Sequence, residues 1–148
     1  MEFDDNNNLP EQEGDYVEIY SKKAVFWFSV LADPLIGGAL LIINLWLAGY
    51  KRAVALVVAF LVVYVAATTK AEYWYMDHYK IDPKKIDNNA IVFLLMSKGF
   101  QVAGGVILVG YFYKKYFPED DYYPRSIINP LLITLFIVFL MAYFGISF

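Results

Sequence analysis

The stretch AVFWFSVLADPLIGGALLIINLWLA, residues 24–48, decides how this chain folds. It is long and apolar enough to cross a membrane, which takes about 20 residues of α-helix, yet its centre holds Asp33 followed by Pro34. Further apolar stretches lie at about residues 53–69, 90–113 and 127–148. The sequence therefore predicts an all-α integral membrane protein, a bundle of four transmembrane helices in one domain covering residues 16–148.

The composition fits that class. Of the 148 residues, 59% are hydrophobic and 18% are charged, and the apolar residues come in blocks. The first 18 residues hold seven acidic side chains and no Lys or Arg. Such a stretch buries too little apolar area to order itself, so residues 1–15 are predicted to be a disordered acidic tail. The alternating residues 16–20 can order on a partner as an added strand.

Two residues of opposite charge, Asp33 and Lys98, lie within the apolar stretches. If the first and third stretches are parallel spanning helices, both side chains reach a similar depth. A lone charge at mid-bilayer costs about 2.5–3.5 kcal/mol, so an ion pair between adjacent helices is the economical arrangement. The polar residues at neighbouring levels are Ser29, Asn44, Ser97 and Gln101.

Asp33 also has a second interpretation. Asp as N-cap and Pro at the first helical position are preferred residues for starting a helix, so a short separate segment over residues 24–32 and a spanning helix from Pro34 fit the same pattern. Lys98 could snorkel to the nearer interface. Three interpretations of Asp33 and Lys98 therefore stay open. The two residues form a structural ion pair, they belong to a transport or proton path, or they are two unrelated solvated charges.

Glycines recur in the first and third stretches, and small residues let helix backbones approach. The stretches from Ala24 and from Ala90 share a charge, a Gly-Gly pair and a closing basic pair. That similarity is consistent with two repeated hairpins, or with the common composition of Gly-rich apolar segments. The glycines predicted to pack helices are Gly37, Gly38, Gly99, Gly104 and Gly105.

The sequence lacks the residue sets of an enzyme site or a metal centre. It has no cysteine, one histidine (His78) and scattered carboxylates. These supply neither a set of metal ligands nor a Ser-His-Asp arrangement. The Gly-Gly pairs lack the strand-to-helix context of a phosphate loop. We therefore expect no enzyme activity, no metal or other cofactor, and no nucleic-acid partner.

The longer stretch IYSKKAVFWFSVLADPLIGGALLIINLWLAGYKRA, residues 19–53, resembles the opening of small bacterial membrane proteins of undescribed function. The likeness lies in the Tyr-Ser-Lys-Lys-Ala start, the Pro and Gly-Gly midway, and an Asn before a short basic turn. It implies a bacterial membrane protein and no particular activity. Size and span number also resemble the four-helix small multidrug transporters, which use a membrane carboxylate in the first span; Asp33 matches in kind only.

The function that the sequence favours is a non-enzymatic accessory or assembly subunit of a larger membrane complex, because no polar cluster extends beyond one neutralised pair. The alternative is a small ion- or proton-coupled transporter that uses Asp33 and Lys98. The expected partners are the lipid bilayer and other membrane subunits or further copies of the chain.

Four spans predict that both termini lie on one side of a bacterial inner membrane. Flanking Lys and Arg number six on that side and five on the other, a small bias. The acidic tail carries no translocation signal, which makes the cytoplasm the expected side.

Overall fold

The computed structural model describes residues 17–81, 87–118 and 122–144, which are mostly helical. The predicted tail over residues 1–15 and the end of the fourth stretch, residues 145–148, lie outside the described residues. Two short strands, β1 (Glu18–Ile19) and β2 (Tyr123–Pro124), pair in parallel. The helices are α1 (Lys22–Leu31), α2 (Pro34–Leu47), α3 (Lys51–Tyr79), α4 (Asn88–Tyr116) and α5 (Ile128–Phe144).

The first apolar stretch forms two helices, which corrects the expectation of one spanning helix over residues 24–48. A break follows α1, and α2 begins with a proline, whose fixed φ suits the first helical position. Residues that lie a similar number of positions before and after the break contact each other, namely Ser29 with Gly37 and Tyr20 with Asn44. The two helices therefore run antiparallel and form what we call the α1–α2 hairpin.

The hairpin packs on two long antiparallel helices, α3 and α4. Each has 29 residues and is apolar enough to cross a membrane, and 17% of its most apolar segment is buried. The rings of Tyr50 and Tyr116 lie 5.5 Å apart at one end of this pair, and those of Tyr75 and Phe93 lie 6.3 Å apart towards the other. The predicted stretches 53–69 and 90–113 lie within these helices.

The buried core lies towards the end where Tyr50 meets Tyr116. A π-helical turn, Leu108–Tyr113, widens α4 there and buries two consecutive residues, Phe112 and Tyr113. The largest fully buried apolar side chains belong to α1, α2, α3 and α4, and they are Val25, Leu41, Leu45, Val57, Leu108 and Tyr113.

The remaining elements depart from a repeated pair of hairpins. The third apolar stretch lies in one continuous helix, α4, whereas the first folds back on itself, so the suggested repeat is absent from the described structure.

The strand expected near residues 16–20 forms as β1, and it pairs within the chain, with β2. In α5, Pro130 and Thr134 are buried, while the other described side chains are exposed or half-exposed.

Candidate functional site

The tip of the α1–α2 hairpin is the candidate site, and Asp33 caps α2 there. One carboxylate oxygen of Asp33 accepts a hydrogen bond from the Leu35 backbone N–H at 2.7 Å. The Asp33 backbone is extended, with φ −166° and ψ 148°, as an N-cap requires. The helix break that the sequence left open is thus the arrangement found.

Glycines let the arms of the hairpin approach each other and α3. A Cβ added at Gly37 would overlap the Ser29 hydroxyl oxygen and would lie 2.5 Å from the Val25 carbonyl oxygen. A Cβ added at Gly38 would lie 2.6 Å from Cδ1 of Leu61, on α3. Both positions therefore exclude any larger side chain unless a neighbour moves.

The tip lies about halfway along α3 and α4. A Cβ added at Gly104, near the middle of α4, would lie 2.8 Å from Pro34 Cγ and 3.0 Å from Tyr64 Cε1. Tyr64, near the middle of α3, donates its hydroxyl proton to the Phe100 carbonyl oxygen at 2.6 Å. α3 and α4 are therefore joined beside the residue that follows Asp33.

The glycines predicted to pack helices divide into two groups. Gly105 approaches α1, since a Cβ there would lie 3.1 Å from Ser29 Cβ, and Gly37, Gly38 and Gly104 make the contacts described above. Gly99 differs, because a Cβ added there would meet nothing within 4 Å. The predicted packing role of Gly99 is therefore not found among the described residues.

Lys98 does not form the predicted ion pair with Asp33. Both residues are described, and no ion pair within 4.0 Å joins them. The exposed Lys98 ammonium donates instead to Gln101 Oε1 at 2.7 Å. Lys98 precedes Gly104 by six residues, which places it about 9 Å farther along α4 from the hairpin tip. The pair fails because the first stretch turns back at Asp33 and does not continue beside α4.

The other polar residues predicted near the pair do not gather around Asp33. Ser29 is buried and donates its hydroxyl proton to the Val25 carbonyl oxygen at 2.7 Å. Ser97 is half-buried on α4, in the turn before Gln101. Asn44 lies at the other end of α2 and belongs to a separate cluster.

That cluster, which the sequence did not reveal, surrounds Tyr20 at the open end of the hairpin. The buried Asn44 amide donates to the Tyr20 carbonyl oxygen at 2.8 Å and accepts from the Tyr20 N–H at 2.7 Å, as a neighbouring strand would. The Tyr113 hydroxyl donates to the same carbonyl oxygen at 3.2 Å. The Arg125 guanidinium lies 5.4 Å from the Tyr20 ring centroid. We call this group the Tyr20–Asn44 cluster.

The one histidine of the sequence, His78, is among the described residues. His78 stacks on Trp74, with ring centroids 5.2 Å apart. Within residues 17–81, 87–118 and 122–144, no group of three or more His, Cys, Asp or Glu side chains is placed to hold a metal ion.

Comparisons with protein-family models, with curated proteins and with solved structures found no match. The bacterial origin implied by the resemblance therefore stays a prediction, and function has to follow from the chain's own chemistry.

Proposed function

We propose that the chain is an integral membrane protein in which α3, α4 and α5 cross the bilayer, while the α1–α2 hairpin enters from one face and turns back. α3 and α4 have 29 residues each, more than the roughly 20 that span the hydrocarbon. A helix in the core of a soluble protein would be mostly buried, whereas these two expose apolar side chains along their length. Soluble proteins rarely expose apolar patches of that extent.

This placement sets the depth of both charged residues. Gly104, beside the hairpin tip, lies about 15 Å along α4 from Lys114, so Asp33 reaches the middle of a hydrocarbon core about 30 Å thick. Lys98 lies about 24 Å from Lys114, close to the opposite interface, where its ammonium can snorkel to water. The two charges occupy different levels of the membrane.

The turn of the hairpin also gathers basic residues at one face. With the hairpin re-entrant, seven Lys and Arg residues belong to the face where Tyr50 meets Tyr116, and by sequence five belong to the other. Cytoplasmic loops carry the excess of Lys and Arg, so the face with seven is cytoplasmic. The seven are Lys22, Lys23, Lys51, Arg52, Lys114, Lys115 and Arg125, and the five are Lys70, Lys80, Lys84, Lys85 and Lys98. β1 is then cytoplasmic, and the far end of α5 lies on the opposite side, in place of the expected shared side.

The role we propose is a non-enzymatic accessory or assembly subunit of a larger membrane complex, and α5 carries this proposal. Its large apolar side chains are exposed around the helix and do not pack on the rest of the bundle; Phe136, for example, is 61% exposed and Phe139 is 66% exposed. Lipid can cover such a helix, but packing between helices stabilises membrane complexes as well. α5 thus offers a broad apolar surface to a helix of another subunit.

A second candidate function, a small ion- or proton-coupled transporter, is favoured by the position of Asp33. Transporter sites lie near the bilayer midplane and are often built from discontinuous helices. The break between α1 and α2 brings a carboxylate to that depth. In contrast to the sequence-based version of this hypothesis, Lys98 takes no part.

Photocrosslinking in native membranes tests the subunit role. We would replace Phe136 or Phe139 with the photoreactive amino acid benzoylphenylalanine, which resembles phenylalanine in shape, and use Val62 as the matched control. Val62 is exposed on α3. We expect the α5 positions to give one discrete protein adduct, identified by mass spectrometry, and the Val62 position to give lipid adducts. Lipid adducts alone at every position, with a monomeric particle in mild detergent, would contradict the proposal.

Flux measurements separate the two candidate functions. The purified chain in liposomes with an imposed proton gradient is expected to move no cation. Proton-driven cation uptake that Asp33→Asn abolishes would favour the transporter.

A further inference from the structure

Within the described part of the chain, the Asp33 carboxyl at the hairpin tip has no cationic partner within 4.0 Å. It is half-buried, and one of its oxygens accepts the Leu35 N–H. Among the described residues, the ion pair found within 4.0 Å is the exposed Lys80–Asp77 contact, far from the tip. An ionised carboxylate inside hydrocarbon is strongly unfavourable unless an opposite charge or water compensates it.

The described groups that face the tip supply neither a positive charge nor a free hydroxyl proton for the carboxylate. From α3 comes Tyr64, whose hydroxyl proton is bonded to the Phe100 carbonyl oxygen. From α1 comes Ser29, whose hydroxyl proton is bonded to the Val25 carbonyl oxygen. α4 presents Gly104, with Lys98 a turn and a half beyond it and bonded to Gln101. Apart from its cap, Asp33, α2 contributes no titratable side chain.

We propose that Asp33 binds a proton within the membrane, so that its carboxyl is a neutral acid while the hairpin is inserted. This inference rests on the proposed membrane placement. The oxygen that accepts the Leu35 N–H keeps that hydrogen bond, and the other oxygen carries the proton. A metal cation is disfavoured, since it needs several oxygen ligands, and among the described residues no group of three or more His, Cys, Asp or Glu side chains is placed to hold one.

An apolar cavity lies near the hairpin tip. It has a volume of about 520 Å³, opens between α2 and α3, and is lined by apolar side chains such as Leu35, Leu61 and Val62. Leu35 is two residues from Asp33 in the sequence, although Asp33 itself does not line the cavity. With α2 and α3 in the bilayer, we expect an apolar reagent dissolved in the lipid to reach the neighbourhood of Asp33 more readily than a charged, water-soluble one.

Carbodiimide labelling of the full chain in liposomes tests the proposal. The O–H of a protonated carboxyl adds across one C=N bond of dicyclohexylcarbodiimide, and the product rearranges to a stable N-acylurea without a leaving group. We expect peptide mapping by mass spectrometry to find this adduct on Asp33 at low and neutral pH, with the yield falling as the carboxyl deprotonates. A water-soluble carbodiimide with glycine ethyl ester should label the exposed Asp77 and spare Asp33.

Two variants serve as controls. Asp33→Asn retains a side-chain oxygen for the cap and removes the proton site, so it should fold normally and lose the adduct. Asp77→Asn should lose the water-soluble label at position 77 and keep the Asp33 adduct.

The possible failures are distinguishable. Labelling of Asp33 by the water-soluble reagent would show that the tip faces water, which would overturn both the membrane placement and the proton site. Absence of labelling at Asp33 by either reagent would overturn the proton site alone. Protection of Asp33 from dicyclohexylcarbodiimide by sodium, at constant pH and ionic strength with choline as the control, would replace the proton with a metal cation.

Discussion

α2 and α5 are both apolar helices of modest length, with 14 and 17 residues, yet one is packed and the other is exposed. α2 contains Gly37 and Gly38, which admit α1 and α3, and Asn44, which hydrogen-bonds to the Tyr20 backbone next to β1. α5 has no glycine, and its Thr134 hydroxyl bonds back to its own helix, at the Pro130 carbonyl oxygen. Apolar length therefore identifies candidate membrane segments, while small and polar side chains determine what those segments pack against.

The comparison predicts its largest difference between two phenylalanines. Phe112 in α4 is 7% exposed and lies with its ring centroid 5.3 Å from that of Phe60. Phe112→Ala leaves a cavity and should lower the free energy of unfolding by about 3 kcal/mol or more. Phe136→Ala on α5 should change it by less than about 0.5 kcal/mol in the isolated chain. Denaturant titration in detergent micelles measures both, and equal losses would show that α5 packs on the bundle.

Substitutions of two glycines test the same comparison, with a somewhat smaller expected loss of stability. Gly37→Val forces a side chain against Ser29 and Val25 and should destabilise the protein by about 2–3 kcal/mol. Gly99→Val is the matched control, because a Cβ there meets nothing within 4 Å. Thermal unfolding in the same detergent should give a lower midpoint for the first variant and little change for the second. A similar loss at Gly99 would mean that its face is packed.

Two asparagines test the polar side of the argument. Asn44→Leu removes both hydrogen bonds to Tyr20 and leaves a buried backbone N–H without its acceptor, which should cost about 2 kcal/mol. Asn129 is exposed at the start of α5, so Asn129→Leu should be close to neutral. Hydrogen exchange of the Tyr20 amide should become faster in the Asn44 variant alone; unchanged exchange would argue against the strand-like pairing.

The smallest effects are expected at the hairpin tip. Asp33→Ala removes the cap and should cost about 1 kcal/mol, while Asp33→Asn should cost little, since Asn caps as well as Asp. A double-mutant cycle of Asp33→Ala with Lys98→Met should give a coupling energy below about 0.5 kcal/mol, because the two side chains do not interact. A coupling of several kcal/mol would restore the ion pair predicted from the sequence.

Local patterns predicted much of the fold. Apolar length predicted the positions of α3 and α4. A helix break was one of the two interpretations of the Asp33–Pro34 pair. The return of α2 alongside α1 could not be predicted, since residues 24–48 suit a single span equally well by length. That choice involves tertiary contacts, such as the close approach of Gly37 to Ser29 and the hydrogen bonds of Asn44 to Tyr20.

The candidate site was predicted in part for the same reason. Asp33 was identified because a carboxylate in an apolar stretch is costly wherever the chain places it. Its supposed partner Lys98 was matched by depth, and the depth assumed a straight first helix. Asn44 stood out as a polar residue, but its partner Tyr20 lies 24 residues away in sequence, beyond any helical or strand periodicity.

The pairing of β1 with β2 has a consequence for the order of assembly. The Lys22 N–H donates to the Tyr122 hydroxyl oxygen at 3.4 Å across a separation of 100 residues. β1 pairs with β2, which follows Tyr122 in the sequence. Closing so long a loop costs more chain entropy than closing a helical hairpin. During synthesis, α1 and α2 leave the ribosome well before Tyr122 does. We therefore expect the hairpin to form early and its end near Tyr20 to be fixed last. A nascent chain that stops short of Tyr122 should contain both helices of the hairpin, with the end near Tyr20 still open.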